Sequence, residues 1–174
     1  MESNNVFAPA TLERTVRIPF EYVTDNMKSM LEKYIRSQYE NKCNVEGYIK
    51  KDTSTIVNYS TGILNGDSID YAVTFDCLLC IPVEGMIIKC VADNITKAGI
   101  KASISGENSP MTIFVVRDHH HMLKEFTAVQ VGDAITIRVI GQRYELNDKF
   151  ISVIGEYIPS KRVTKQSKLV FKDK

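Results

Sequence analysis

Between residues 24 and 40, TDNMKSMLEKYIRSQYE, apolar Met27, Met30, Leu31, Tyr34 and Ile35 recur at i, i+3, i+4, i+7 and i+8. That spacing gathers them on one face of a helix, with Lys28, Glu32, Lys33 and Arg36 on the other. Thr24 is the expected N-cap, and Asp25 is set to favour the helix dipole. The rest of the chain has the shorter rhythm of strands. In TLERTVRIPF, residues 11–20, Leu12, Val16 and Ile18 partly alternate and Pro19 ends the run. After the helix, NVEGYIKKD, STIVNYS and SIDYAVTFDCLLCI read as strands, and TGILNGDS at 61–68 as a glycine-containing loop. Five more follow: GMIIKCVADNI, GIKASIS, MTIFVV, DAITIRVIGQRYE and KFISVIGEYI.

This order predicts an α+β protein. Residues 1–81 form a small N-terminal domain, one helix on an antiparallel sheet, and residues 82–158 a five-stranded OB-fold β-barrel. The break falls near 82–85, where one apolar run stops and the first barrel strand begins. A five-stranded OB barrel presents the face of its second and third strands, with flanking loops, to oligonucleotides or oligosaccharides. Such a fold does not by itself specify a function.

Composition changes this picture little. The 174 residues are 44% hydrophobic and 25% charged, ordinary for a folded globular chain. No run approaches the ~20 apolar residues of a membrane span, and MESNNVFAPA lacks the pattern of a secretory signal. No membrane association is expected, and in a reducing compartment the four cysteines are expected as thiols. Charge is more informative. Residues 160–174, SKRVTKQSKLVFKDK, carry six Lys/Arg against Asp173, a net of +5, within a chain whose total is +1. The segment 159–174 is therefore a basic C-terminal tail, either a solvated end or a segment that tracks phosphates.

Two stretches suggest site chemistry. Cys77 and Cys80 have C-x-x-C spacing, but Leu78 and Leu79 between them and Phe75 and Ile81 around them make an apolar strand. Positions i and i+3 of a strand face opposite sides of the sheet, so packing is favoured over a zinc or redox site. RDHHHM holds all three histidines, His119, His120 and His121. Adjacent side chains diverge and cannot close around one ion. An exposed loop, or one that stacks on bases and donates to phosphates, fits better than a metal-dependent enzyme. No G-x-S-x-G, P-loop or G-x-G-x-x-G motif occurs, so no catalytic residue, metal site or cofactor is assigned. Lys97, Lys101, Arg117, Arg138, Arg143 and Lys149 lie in or beside barrel strands, with Phe114 in the third, either core or surface, and Tyr144 at the end of the fourth. Basic grooves with aromatic platforms are how such barrels hold single strands.

In order and spacing, several segments resemble the stalk-subunit family that comprises the seventh subunit of eukaryotic RNA polymerase II and its counterpart in the archaeal RNA polymerase. NKCNVEGYIKK resembles the family's cysteine-containing strand entry. GILNGDSIDYAVTFDCLLCIPVEGMI resembles the junction into the barrel, SPMTIFVVRDHHHM the third barrel strand and its loop, and ITIRVIGQRYELNDKFISVIGEY the last two strands. The resemblance spans about residues 12–158 and is also similar to compact versions encoded by large DNA viruses. It implies a non-catalytic stalk subunit of a multisubunit DNA-directed RNA polymerase. Its N-terminal tip would dock on core polymerase subunits, its barrel would bind nascent single-stranded RNA, and a small helical subunit would pair with it. By the resemblance, Gly62, Ile63, Leu64, Gly66 and Asp67 belong to the docking tip, and Lys97, Lys101, Phe114, Arg117, His119 and Arg143 lie where the barrel meets RNA. Where the family often has an aromatic after the glycine of the second barrel strand, this chain has Ile100, which removes one expected stacking platform. The implied location is the nucleus, or a cytoplasmic virus factory and virion for a viral version. The alternative is a free-standing OB-fold RNA-binding protein of translation or RNA decay.

Overall fold

Strand β1 (Phe7–Pro19) and strand β6 (Ser68–Cys80) pair antiparallel along their whole length, from Phe7 opposite Cys80 to Pro19 opposite Ser68. At ~3.3 Å per residue this ladder is about 40 Å long, the spine of the N-terminal half. The structure, a computed structural model, describes residues 6–104, 109–120 and 122–159. Period-two alternation buries Tyr71, Val73, Phe75, Cys77 and Leu79 of β6 on one face. Helix α1 (Met27–Tyr39) covers that face with Leu31 and Ile35. Each large apolar side chain so buried stabilises the fold by roughly 1.5–3 kcal/mol. The other edge of β6 pairs in turn with β3 (Gly47–Ile49), β4 (Thr55–Tyr59) and β5 (Ile63–Asn65), and β2 (Lys42–Asn44) lies beyond β3.

The second half is a closed barrel of β7 (Ile87–Ile95), β8 (Gly99–Ser103), β9 (Met111–Val116), β10 (Ala134–Arg143) and β11 (Ile151–Ile158). Strand order is β7–β8–β9–β11–β10, with β10 closing on β7, consistent with the expected OB fold. Pairing is antiparallel except between β9 and β11. Inward Ile88, Ile100, Met111, Ile113, Ile137 and Ile151 fill it. Gly99 sits at φ +155, where a Cβ would lie 2.1 Å from the Val115 carbonyl oxygen, so only glycine admits that close β8–β9 approach.

The two halves share a core at their junction. Cys80, turned away from the face of Cys77, joins Val6, Cys43 and Tyr48 in the cluster that fills the barrel. The β10–β11 loop then adds to the edge of β2. Cys43 N–H donates to the Asp148 carbonyl at 2.7 Å, Asn147 N–H to the Cys43 carbonyl at 2.8 Å, and Tyr144 hydroxyl to the Val45 carbonyl at 3.2 Å.

Several local expectations differ from what forms. The N-cap of α1 is Asn26, whose Oδ1 accepts from Ser29 N–H at 3.2 Å, and not Thr24. NVEGYIKKD is not one strand but a tight hairpin, β2 and β3, turning at Val45–Glu46 into Gly47 at φ +136. Residues 61–68 are not wholly loop, since β5 pairs there with the start of β6. The connection from β9 to β10 carries a short helix, α2 (Lys124–Thr127), which strand periodicity does not reveal. The basic segment 160–174 and His121 lie outside the described residues.

Candidate functional site

Phe114, left open in the sequence between core and surface, lies on the outer face of the barrel with 41% of its surface exposed. Strand register sets its neighbours. Lys101 of β8 stands opposite it on one side and Ile154 of β11, 49% exposed, on the other. Asn94 lies beyond Lys101 and Gly141 beyond Ile154. These five positions form one transverse row on adjacent strands, each strand ~4.8 Å from the next. Ile154 and the neighbouring exposed Ile140 were not singled out in the sequence. An alternating strand such as ISVIGEYI shows which residues share a face, not which face is wet. Ile100, by contrast, is buried, so that position points into the barrel and would offer no platform to a ligand outside it.

Lys97 is exposed in the β7–β8 turn, and among the described residues neither it nor Lys101 holds an ion pair. Arg117 comes next to this turn because its backbone N–H donates to Ala98 O at 2.9 Å. Its guanidinium is partly structural: it donates to Thr96 O at 3.0 Å and lies 5.8 Å from the Phe126 ring centroid. His119 is exposed in the single 3-10 turn that follows β9. Lys97, Arg117 and His119 thus gather at one end of the barrel, with Lys101 and Phe114 leading away from it. Arg143 is not with them. It lies at the opposite end of β10, exposed and ion-paired with Glu145 at 3.0 Å.

His120 corrects the reading of the histidine run as a solvent-exposed loop. It is 2% exposed and plugs the end of the barrel. Nδ1 lies 2.7 Å from Val116 O and Nε2 accepts from Tyr157 N–H at 2.9 Å, while the ring stacks on Phe126. Those two bonds require a neutral ring with its proton on Nδ1. Tyr144 is likewise not a free platform, being half-buried with its hydroxyl spent on the junction.

At the other end of the molecule the β5–β6 hairpin carries Ile63 and Leu64, each 72% exposed. Neighbouring residues of a strand face opposite sides, so the hairpin is apolar on both. Gly66, at φ +65, and Asp67 make its turn, and Asp67 O accepts from Phe20 N–H at 3.2 Å. Gly62, at φ +82, is structural, since a Cβ there would lie 2.6 Å from Ile69 Cγ2. The hairpin is tied to β1 by Asp70, which accepts from Arg17 at 2.8 and 3.1 Å and from Asn65 at 2.9 Å. These bonds, Arg17 foremost, lower the Asp70 pKa to about 2. Exposed Phe20, Tyr22 and Val23 flank the tip. Beside them an apolar groove of about 700 Å³ runs between the end of β1 and α1, lined by Ile18, Pro19, Tyr22, Met30 and Tyr34. Sequence reasoning missed these aromatics because a turn brings them beside the hairpin.

Cys77 and Cys80 face opposite sides of β6, one in each core cluster, so they cannot share an ion. Burial pushes the Cys77 thiol up to about 11 and Cys80 up to about 12. Among the described residues no group of three or more His, Cys, Asp or Glu is arranged to hold a metal, and no helix is long and apolar enough to cross a membrane.

The chain is 23% identical to a protein of Acanthamoeba polyphaga mimivirus named "Putative DNA-directed RNA polymerase subunit", over an alignment that covers 91% of this chain and 85% of the relative. No protein-family model matches it.

Proposed function

We propose that this chain is a non-catalytic subunit of a multisubunit DNA-directed RNA polymerase, docking by its hairpin end and holding nascent RNA on its barrel. The observation that carries the reading is the near end-to-end similarity to the mimivirus protein of that name. Two surfaces of opposite character support the division of roles. The hairpin end exposes Ile63, Leu64, Phe20 and Tyr22, an apolar patch of the kind that marks a protein interface. The barrel face combines Phe114 with Lys97 and Lys101, with Arg143 standing apart at the far end of β10, which suits a sequence-tolerant grip on single-stranded RNA. His119 and the outward edge of Arg117 extend that grip. The long β1–β6 ladder and the shared junction core would hold the two surfaces apart as one stalk.

Affinity purification from native cells, read by mass spectrometry, tests the docking half. Recovery of the two largest polymerase subunits in near-stoichiometric amount is expected, and Ile63→Asp with Leu64→Asp should remove them. Recovery of ribosomal or RNA-decay proteins in their place would replace this reading with a free-standing RNA-binding module.

A further inference from the structure

An OB barrel ordinarily takes a strand across its second and third strands, between the loop joining the first two strands and the loop joining the last two. Here the second of those loops is occupied. Residues 144–148 are bonded to β2 through Cys43 and Val45, so the N-terminal sheet fills that side of the cleft. The free surface continues instead around the barrel, from β9 onto β11 and β10.

Resting on the RNA-binding reading above, we infer that single-stranded RNA crosses the outer face over Lys101, Phe114 and Ile154 and leaves past Gly141 toward Arg143. Ile154 supports the base that follows the one on Phe114. Three observations converge on this path. Phe114 and Ile154 are a direct parallel pair, and their exposed side chains stand side by side. Gly141, opposite Ile154, bears no side chain, and a Cβ there would meet nothing within 4 Å, so this glycine is no packing requirement but leaves a bare shelf. Two acids beside the path are held by arginines, Glu156 by Arg138 at 3.5 Å and Glu145 by Arg143 at 3.0 Å, which tempers their repulsion of phosphate. An aliphatic and an aromatic platform offer bases no hydrogen bonds, so the path reads no sequence.

The test uses the full chain with a fluorescent oligouridylate of about twelve nucleotides, within the site sizes of OB folds, and anisotropy as readout. Ile154→Ala should weaken binding roughly fivefold with the salt dependence unchanged, and Arg143→Ala should lower the log–log salt slope by about 0.7. Gly141→Val, which has room to fold, should weaken binding by obstructing the shelf. Leu146→Ser, in the occupied loop, should leave it within about twofold. Melting curves confirm that each variant folds. Insensitivity to Ile154→Ala and Gly141→Val, with loss from Leu146→Ser, would overturn the path and return RNA to the loop cleft. Insensitivity of RNA binding coupled to loss of a co-purifying polypeptide would assign this face to a protein. Failure of the unaltered chain to bind would remove the RNA reading itself, and the path with it.

Discussion

Cys77 and Cys80 are three residues apart, yet one side chain packs under α1 and the other into the junction with the barrel. Burial raises all four thiols, Cys43 and Cys77 to about 11 and Cys80 and Cys90 to about 12. At pH 8 the native protein should therefore resist iodoacetamide, and mass spectrometry should find four alkylated cysteines only after denaturation. Rapid native labelling of Cys77 or Cys80 would contradict their packing role. Glu40 is the least conspicuous structural residue in the sequence. Its buried carboxylate accepts from the backbone N–H groups of Asp52, Thr53 and Ser54 at 2.7, 3.1 and 2.7 Å. Nothing in the string SQYENK announces this, because the three donors lie twelve to fourteen residues downstream. Glu40→Ala should destabilise the chain by roughly 2–4 kcal/mol, since it strands three donors, as a shift of the urea midpoint would report.

The β5–β6 hairpin is held as an element by its ion pair with β1. Asp70 has its folded pKa lowered to about 2 from an ordinary 3.8, so its contribution is complete above the unfolded value and vanishes as pH falls through the folded one. Between about pH 4 and pH 2 the hairpin should loosen from β1, seen as selective loss of amide protection in residues 63–70. Arg17→Ala should raise the Asp70 pKa toward its ordinary value in an NMR titration. An unshifted titration would mean that the bonds to Asp70 do not persist in solution. The hairpin itself was visible in the sequence only as a glycine-containing loop. Its pairing depends on β6, whose long apolar alternation supplies the template.

Across the whole molecule, the apolar hairpin end and the basic barrel face are far apart, joined by a continuous ladder. Changing Lys97, Lys101 and Arg143 together to alanine should weaken RNA binding and flatten its salt dependence by about 2 in log–log slope, near 0.7 per phosphate contact. Polymerase association in the same pull-down should be unchanged. Equal loss of both would show that the two surfaces are not separate. The junction also explains why the barrel cannot be read as an isolated OB fold. One of its two ligand loops is hydrogen-bonded to the edge strand of the neighbouring sheet, through contacts between residues about one hundred positions apart.

The sequence by itself determined the α+β class, the amphipathic helix α1, the five barrel strands and the packing role of the C-x-x-C pair. Each of these follows from periodicity within a dozen residues, where backbone geometry alone decides which side chains share a face. Tertiary structure decided which of those faces meets water. It turned Phe114 and Ile154 outward and Ile100 inward, withdrew His120 into the barrel end, and separated Arg143 from Lys97 and Arg117. It also tied Phe20 to the turn of the β5–β6 hairpin at Asp67. Those outcomes depend on strand register and on which element covers which, and both are fixed by contacts between segments that the chain keeps far apart.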